Sequence, residues 1–564
     1  MKRVLNILFL VSVSLAVAAC GQGTETEQFN TAKIKIYKDN SYPSNGRYIP
    51  SDRVDLSLSY NDLSGTLSNN ENVFPSKGSP KLLVIPVHVA GGEQYQTAEV
   101  KEAIRSVFFG ENDEKLGFKS LKEFYRDSSF GQLDIQGTVT DWFDSTPYIS
   151  DPSQITTGQD GTIISKILTN AIAWAIDTQG VDPKDYDYNH DGSIDGIYLV
   201  YDHLDWTAEQ AMWNRHPEGQ QPTVNQAFWN FTSWDWNTKA DLDKPTTSAF
   251  SWSSFDMMYT PYAEEDADGN VILDDLASIK LDSHTFIHEF GHLMGLDDYY
   301  RSDSTTSHPA GGMTMMDQNV GDLDSYSKML LGWITPYVVY GTSEITINDI
   351  SASKNSVIVI PSDFEEISEQ VEKASKSNSL DKFRYKFNPF SEYLMIDLYA
   401  PIGNYKQDAY GPYLNDREPA MNAIGARIYH IDSRIFAAKI VSYIDPDTGY
   451  STQKFSYTNM AWNGEQLESD EAILMPISNS YVESSSFQLP QNYDFFEQIR
   501  MIEANKTNTF DKGEYATNNS LFTTESDPFD VLTFGYQFFN GRYAYNDGAD
   551  MPFKVKVEEI NEVK

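Results

Sequence analysis

The distribution of apolar and polar residues divides the chain into a first half that mixes helical and strand patterns and a second half dominated by strand patterns. Residues 81–89 form an almost continuous apolar run, as expected of a central strand that is buried on both faces. Residues 97–109 and 163–175 carry apolar side chains at helical spacing. Residues 197–201 are a further short apolar run and predict a second buried strand.

Between these elements, the local signals predict one more helix and one more strand. Ser120 directly precedes an apolar helical pattern. Glu123 lies three residues after Ser120, which is the spacing of a reciprocal capping box. Residues 133–142 then alternate as a half-buried strand does. The order strand, helix, helix, strand, helix, strand predicts a mixed sheet flanked by helices.

From about residue 335 onwards, alternating apolar segments are separated by connectors rich in turn residues. These segments are residues 344–347, 356–360, 392–399, 426–431 and 553–557. Such spacing predicts a mostly β second half, built as one elaborated sandwich or as two small ones. Residues 363–381 interrupt the pattern with a charged, mildly helical sequence.

The N-terminal residues have the order of a secretory signal. Lys2 and Arg3 precede an apolar stretch over residues 4–17, which is too short for an ordinary membrane-spanning helix. Cys20, the only cysteine of the chain, follows small residues at the expected cleavage site. The segment resembles a bacterial lipoprotein signal, which predicts removal of residues 1–19 and lipidation of Cys20. The alternative is an ordinary signal with an incidental cysteine.

Lipidation at Cys20 would place the protein on the bacterial cell surface, or on the outer membrane or in the periplasm of a cell with two membranes. Residues 20–79 are rich in Ser, Asn, Asp, Thr and Pro, so that we expect a flexible tether, with some character of a pro-segment.

Length and charge set limits on the possible functions. The 564 residues exceed what one hydrophobic core usually organises, so two or three domains are expected. The 82 acidic residues outnumber the 42 basic ones and give a formal net charge of −40. This charge argues against nucleic acid as a partner and against electrostatic adhesion to anionic lipid. We expect a monomer that contacts the membrane only through its lipid.

The chain has one stretch with strong metal-site character, an HExxH pattern at residues 288–292. On a helix, positions four apart lie on the same face, so that His288 and His292 can direct two imidazole nitrogens at one zinc ion. Gly295 can take the left-handed conformation that ends a helix and lets Asp298 approach as the third ligand. One coordination position then stays open, as catalysis requires.

Glu289 follows the first histidine and lies at the edge of the same helix face. It can contact the water that zinc activates without binding the metal, which predicts a general base. The alternative is a buried amphipathic helix with two structural core histidines, and the extension to HExxHxxGxxD weighs against it.

A second possible metal site lies ahead of the strand at residues 197–201. Oxygen-bearing side chains recur at every second position of this loop, with a glycine after the third, as in the first nine positions of an EF-hand. They are Asp187, Asn189, Asp191, Ser193 and Asp195. Position twelve is Tyr198, not glutamate, and no exiting helix follows, so we predict a calcium-stabilised turn. A turn without metal is the alternative.

Residues 311–316 form a tight, methionine-bearing stretch shortly after the zinc motif. Metzincin-like peptidases place such a turn under the metal as an apolar floor. In isolation, a methionine-rich core turn would look the same. Its position behind the zinc motif favours the first interpretation.

Taken in their order along the chain, these motifs resemble the immune inhibitor A family of secreted bacterial peptidases, metallopeptidase family six. The resemblance rests on residues 120–131, 187–195, 288–298, 311–316 and 328–333, and more loosely on 392–393 and 425–432. It implies an α+β catalytic domain of the zincin type, with a mixed twisted sheet and an active-site helix that carries HExxH. A mostly β, sandwich-like C-terminal half would follow.

The resemblance also implies roles for residues of this sequence. Zinc would be bound by His288, His292 and Asp298, with Glu289 as base and Met316 as the Met-turn residue. Calcium would be bound at residues 187, 189, 191 and 195. Two departures from the metzincin pattern stand out. Aspartate replaces the common third histidine, which leaves Asp297 as an alternative ligand, and no tyrosine follows the Met-turn two residues on.

The resulting hypothesis is a surface-anchored zinc endopeptidase that hydrolyses extracellular proteins or peptides. Its expected domains are a signal at residues 1–19, a tether at 20–79, a catalytic domain at 80–335 and β-rich domains at 336–564. Two rival functions are a lipoprotein adhesin or glycan-binding module on a zincin scaffold, and a metallo-hydrolase of non-peptide substrates. An intact Glu289 argues against the adhesin, which would not need the base.

Overall fold

The computed structural model describes most of the catalytic region and much of the second half of the chain. The described residues are 29–38, 48–49, 74–151, 155, 163–205, 230–234, 240–247, 249–259, 280–301, 307–339, 341–354, 356–361, 392–410, 419–432, 435–444, 451–460, 473–476, 479, 487–488, 497–538 and 553–563. Within these ranges, no helix is both long enough and apolar enough to cross a membrane.

The helices and strands are numbered in chain order. The helices are α1 (Ala98–Phe109), α2 (Leu121–Ser128), α3 (Ile163–Gln179), α4 (His284–Leu293), α5 (Met315–Gln318), α6 (Ser325–Leu330), α7 (Tyr405–Tyr410) and α8 (Val531–Phe538). The strands of the first half are β1 (Thr31–Lys38), β2 (Tyr48–Ile49), β3 (Lys81–His88), β4 (Gln136–Val139), β5 (Phe143–Asp144), β6 (Ile197–Tyr201), β7 (Phe231–Trp234) and β8 (Ala249–Ser254). Those of the second half are β9 (Tyr337–Val339), β10 (Ser343–Asn348), β11 (Ile358–Pro361), β12 (Glu392–Tyr399), β13 (Gly425–Asp432), β14 (Ile435–Ile444), β15 (Ser451–Met460), β16 (Ile473–Pro476), β17 (Phe487–Gln488), β18 (Ile499–Ile502), β19 (Phe529–Asp530) and β20 (Phe553–Asn561).

The first half contains a twisted mixed sheet in the order β4-β3-β6-β8-β7, with β5 paired to β3. All of its pairs are parallel except β7–β8. Both faces of β3 are buried, as its apolar run predicted. Leu82 and Val84 join the core that contains α1, α2 and α4, whereas Leu83 and Ile85 join the core that contains α3. The mixed sheet flanked by helices is therefore confirmed.

The helix ends follow their predicted signals only in part. The Ser120 hydroxyl accepts a hydrogen bond from the Glu123 amide and caps α2, as expected. The Glu123 carboxylate does not complete the reciprocal box, because it accepts the Asn112 amide at 2.8 Å. The predicted strand over residues 133–142 is also shorter than expected. It pairs with β3 only from Gln136 onwards, where its partner begins at Lys81.

The described part of the second half forms three sheets. A six-stranded sheet has the order β18-β13-β12-β11-β9-β2, and two four-stranded sheets have the orders β10-β1-β20-β19 and β16-β14-β15-β17. Successive side chains of β12 enter two different cores. Tyr393 and Met395 pack with the catalytic elements, whereas Leu394 and Ile396 pack with β1, β10 and β20. The expected domain border near residue 335 therefore runs through a shared core.

The expected tether differs from the structure in its described parts. Strand β1 lies in the middle of a sheet, between β10 and β20, and pairs with β20 along its whole length. Its residues Ala32, Ile34 and Ile36 are fully buried in the core of the second half. The alternating pattern of these residues, in a polar region, is the physical reason for the strand. Residues 31–38 are thus an integral strand and not a flexible tether.

The folded catalytic region also begins earlier than residue 80. The Phe74 amide donates to the Leu293 carbonyl at 2.9 Å, and the Phe74 ring packs on Phe290 with 4.7 Å between ring centroids. The Trp333 indole donates to the Ser76 carbonyl at 2.6 Å. This segment therefore supports the C-terminal end of α4. Cys20 and the signal lie outside the described residues.

Candidate active site

Helix α4 carries the histidines of the HExxH pattern on one face. The His288 and His292 rings are 4.9 Å apart between centroids and nearly perpendicular to each other. The helix ends where the sequence predicted, because Gly295 has a φ of 89°, in the left-handed region. The Leu296 amide then donates back to the Gly291 carbonyl at 3.1 Å, which turns the chain and brings residue 298 to the histidines.

Three side chains converge on one point beside this helix. The Asp298 Oδ1 atom lies 3.0 Å from His288 Nε2 and 3.3 Å from His292 Nε2. All three ligand atoms lie within 4.8 Å of one another. Among the described residues, no other group of three or more His, Cys, Asp or Glu side chains is arranged closely enough to hold a metal ion.

The second nitrogen of each ring fixes the tautomer. His288 Nδ1 lies 2.8 Å from the Met315 carbonyl, and His292 Nδ1 lies 2.7 Å from the Leu296 carbonyl. A carbonyl only accepts hydrogen bonds, so each Nδ1 is the donor, which leaves Nε2 of each ring as the atom that can bind a metal ion. Both Nε2 atoms face the Asp298 carboxylate, and a metal ion bound at this point would be held by all three side chains.

The donor set fits zinc. Zinc binds imidazole nitrogen and carboxylate oxygen at about 2.0–2.2 Å, so two ligands of one tetrahedral ion are roughly 3.3 Å apart. The site also attracts positive charge. Burial lowers the pKa of His292, but Asp298 raises it to about 10. Burial raises the pKa of Asp298, but the two histidines bring it well below the ordinary value for a carboxyl.

Glu289 is held at the edge of this group by the sheet. Its backbone carbonyl accepts hydrogen bonds from the hydroxyls of Thr232 (2.8 Å) on β7 and Ser251 (3.3 Å) on β8. The Thr232 hydroxyl also lies 3.3 Å from Glu289 Oε2. Burial raises the pKa of Glu289, although the neighbouring histidines lower it in part. A raised pKa suits a carboxylate that takes up and returns a proton near neutral pH.

The alternative ligand Asp297 is directed away from this point. Its Oδ2 atom lies 3.5 Å from the Gln498 side-chain nitrogen, and it is not part of the converging group. Burial raises the pKa of Asp297 to about 7. The structure therefore brings Asp298, and not Asp297, to the two histidines.

The methionine-bearing turn lies directly under α4. The Met315 carbonyl accepts from His288, and the Met316 carbonyl accepts from the Tyr299 amide at 2.8 Å. A Cβ atom placed on Gly291 would lie only 2.6 Å from Met316 Sδ. This turn thus orients one histidine, supports the residue after Asp298 and packs against the helix between the histidines.

A cleft with a volume of about 420 Å³ opens above these residues. It is lined by Asn230, Met257, Thr285, His288, Glu289, Tyr300, Asp317, Gln318, Asn319 and Tyr515. The sequence did not single out Tyr300, although it follows Asp298 by two residues, and its ring stacks over His288 at 6.5 Å. Tyr515 comes from the second half of the chain, so no local signal could have assigned it to the cleft. Tyr326, which lies near the Met-turn in sequence, is fully buried and does not line it.

The candidate calcium loop is compact but does not gather its carboxylates as closely as the histidine site does. Asp187 accepts the amides of Asp191 and Gly192 at 3.0 Å each, and Asp195 accepts the Tyr188 amide at 2.7 Å. Burial raises the pKa of Asp195 to about 8, and the charges of Asp191 and Asp187 add to the effect.

The other two predicted ligands of the loop also bond within it. The Ser193 amide donates to Asp191 at 2.8 Å, and the Asn189 side-chain amide donates to Asp191 at 2.7 Å. The structure therefore places all five residues in one turn, with each carboxylate engaged by nearby donors.

A twisted mixed sheet with flanking helices, and a cleft over a helix that carries two histidines and a glutamate, define a metallopeptidase catalytic domain. Residues 89–321 match the family model of the immune inhibitor A peptidase M6 catalytic domain, which supports an immune inhibitor A-like metallopeptidase. It is accordingly a hydrolase that acts on peptide bonds. No curated protein is significantly similar to this chain.

Proposed function

We propose that the protein is a zinc-dependent endopeptidase that is anchored outside the cell and cleaves extracellular proteins. The observation that supports it best is the convergence of His288 Nε2, His292 Nε2 and Asp298 Oδ1, with both Nδ1 atoms committed to backbone carbonyls. Zinc bound by these atoms would polarise the scissile carbonyl and lower the pKa of water towards about 7.

The chain's own residues supply the proton transfers. Glu289 accepts a proton from the attacking water and then delivers it to the leaving amine nitrogen. Its carboxylate is placed for this by the Thr232 hydroxyl, which lies 3.3 Å from Oε2.

In the described part of the sheet, β7 is the terminal strand beside the cleft. An extended substrate can add to such an edge through backbone hydrogen bonds, which favours cleavage within a chain.

The general-base role is tested by Glu289→Gln. This change keeps the size of the side chain but removes the basic oxygen, so cleavage of casein should fall by about 100-fold or more. Zinc content, measured by atomic absorption, and the thermal melt should stay close to those of the parent. Glu102→Gln, at an exposed position of α1, is the matched control and should retain activity. Undiminished cleavage by a folded, zinc-loaded Glu289→Gln protein would contradict the mechanism.

A calcium ion in the loop at residues 187–195 is a further part of the proposal. It is supported by three carboxylates in one short turn and by the burial of Asp195. Burial disfavours the charged form of this carboxylate, and a bound cation would stabilise it. With zinc kept saturating, calcium at 100 times its dissociation constant should stabilise the fold by about 2.7 kcal/mol. This stabilisation should raise the melting temperature when calcium is added. Asp195→Asn should abolish the increase, whereas Asp243→Asn, at a fully exposed position, should retain it. Equal melting temperatures of the parent protein with and without calcium would contradict the calcium site.

The location of the protein follows from the predicted lipid on Cys20. Cys20→Ser should move the protein from the membrane fraction to the medium or to the soluble fraction, without loss of peptidase activity. Persistent membrane attachment of this variant would contradict the lipid anchor.

We also propose that the two sheets that share the core of the second half form its sandwich, as β1, β10 and β12 all contribute to that core.

A further inference from the structure

The loop that carries Asp298 is contacted by the second half of the chain. This loop, residues 297–301, follows α4 and is not itself helical. Besides the helix end, two described backbone hydrogen bonds join it to the catalytic region: the Tyr299 amide donates to the Met316 carbonyl at 2.8 Å, and the Arg301 amide donates to the Ser307 carbonyl at 3.4 Å. Histidines on a helix are placed by the helix, but the aspartate on this loop needs other contacts to hold its position.

Asn479 provides the first of these contacts. Its side-chain nitrogen donates to the Tyr299 carbonyl at 2.7 Å and to the Ile499 carbonyl at 2.9 Å. Its side-chain oxygen accepts from the Ile499 amide at 3.4 Å. Asn479 is 1% exposed, so these bonds form away from solvent. The Asn479 side chain therefore links the carbonyl of Tyr299, the residue after Asp298, to strand β18.

Two neighbouring residues ahead of β18 engage the loop on either side of Asp298. The Gln498 side-chain nitrogen lies 3.5 Å from Asp297 Oδ2 and 3.4 Å from the Tyr326 hydroxyl. Glu497 pairs with Arg301 at 3.1 Å and is itself held by Arg500 at 2.6 Å. Glu497 and Gln498 are both nearly fully buried.

The three contacts reach different parts of the same loop. They fix the side chain of residue 297, the backbone of residue 299 and the side chain of residue 301, with the ligand between them. The residues responsible lie more than 150 positions beyond the end of the family match at residue 321. Residues around a metal site that orient its ligands commonly change metal affinity by about 10- to 100-fold when they are altered.

We propose that Asn479, Gln498 and Glu497 are positioning residues that hold Asp298 in place as the third metal ligand, so that the second half of the chain completes the metal site. This proposal rests on the proposed zinc function. The metal site is then a composite of two parts of the chain. The two histidines come from the helix, and the geometry of the aspartate depends on the segment that precedes β18.

The test compares Asn479→Ala with the parent in the full-length, metal-free protein. Zinc affinity is measured by competition with a chromophoric chelator, and the visible absorption of the cobalt-substituted protein reports the ligand geometry. Asn479→Ala should weaken zinc binding by about 10-fold or more. The cobalt spectrum should change, and activity lost at limiting zinc should recover in part at saturating zinc. Gln498→Leu should also weaken zinc binding and change the cobalt spectrum, and it provides the test if Asn479→Ala fails to fold.

The matched control is Asn30→Ala. Asn30 is also a buried asparagine, but it bonds Asp349 at 3.3 Å and the Val563 amide at 2.9 Å, far along the chain from the metal loop. It should lower the melting temperature and leave zinc affinity and the cobalt spectrum unchanged. Parent-like zinc affinity and parent-like spectra in both Asn479→Ala and Gln498→Leu would overturn the positioning role. A parent that binds no zinc would instead overturn the proposed function, and the positioning role with it.

Discussion

Gly291 shows how a single missing side chain shapes the site. It lies between the two histidines on α4, at the point where Met316 reaches the helix. An added Cβ would lie 2.6 Å from Met316 Sδ and 3.3 Å from the Tyr125 hydroxyl, which itself donates to the Ile287 carbonyl at 2.7 Å. Contacts below 3.0 Å force a neighbour to move. The glycine therefore allows the buried Met316 side chain to pack closely on the helix, and no unusual backbone conformation calls for it.

We accordingly expect Gly291→Ala to destabilise the zinc-free protein by about 1–3 kcal/mol, the usual cost of overpacking. The higher helix propensity of alanine offsets only about 1 kcal/mol of this. Urea unfolding gives the measurement. If the clash with Met316 is the cause, Met316→Ala should relieve it, so that the double variant loses less stability than the two single variants combined. Strictly additive losses would show that another contact is responsible.

At the residue scale, the sequence predicted the parts of the site that follow from local spacing. His288, Glu289 and His292 follow from helix geometry, and Gly295 with its positive φ explains why Asp298 reaches them. Asn479 could not be predicted, because it contacts Tyr299 from 180 positions away and no periodic pattern encodes such a contact. A lone asparagine in a polar stretch carries no signal of its partner.

At the scale of elements, the C-terminal end of α4 depends on a segment that precedes the family match. Phe74 is fully buried, packs on Phe290 and donates its amide to the Leu293 carbonyl. The last carbonyls of a helix have no partner within the helix, so this bond satisfies one of them. Since His292 lies beside Leu293 on this last turn, the segment steadies the ligand helix.

Phe74→Ala should therefore destabilise the protein by about 3–5 kcal/mol, as expected for truncation of a buried phenylalanine. Chemical denaturation of the zinc-free protein measures the change, and a lower zinc affinity should accompany it because the last turn of α4 loosens. Leu242→Ala, at a position that is 65% exposed, is the control and should change stability by less than about 0.5 kcal/mol. A Phe74→Ala protein as stable as the parent would show that this segment is dispensable.

Elements with strong local patterns were predicted well. Strand β3 was expected at residues 81–89 and is found at Lys81–His88, and the helix expected at residues 97–109 is found at Ala98–Phe109. Strand β4 was expected to start earlier, at residue 133, where Leu133 makes only an isolated bridge to Gly78. The length of a strand depends on its partner, and the partner begins at Lys81. Pattern alone does not contain that information.

At the scale of the whole molecule, the two halves share one core. The cluster that includes Met316 and Leu293 of the catalytic region also includes Met395 and Met501 of the six-stranded sheet. On the other side of that sheet, β1 closes the second core between β10 and β20. The pairing of β1 with β20 joins residues more than 500 positions apart, which is why the sequence predicted a tether there.

The central position of β1 leads to different predictions for two hypotheses, in which the N-terminal region is either a removable pro-segment or an integral part of the fold. If residues 21–73 were a removable pro-segment, a protein that begins at Phe74 should fold and cleave substrate. If β1 is integral, its removal leaves the edges of β10 and β20 unpaired and the core over Ile34 open, so that protein should aggregate. We expect the second result, and a synthetic peptide of residues 29–38 added during refolding should restore soluble protein.

Point substitutions give a matched version of this experiment in the full-length chain. Ile34→Asp places a charge in the core of the second half and should cost about 3 kcal/mol or more, since a buried charge without a partner is strongly unfavourable. Lys35→Asp changes the next residue of the same strand, whose side chain lies on the opposite face, and should cost far less. Urea unfolding of both variants measures the difference. Equal, small effects of the two substitutions would indicate that β1 contributes little to the fold and would favour the tether, whereas a large loss for Ile34→Asp alone would mean that any maturation cut must leave β1 in place.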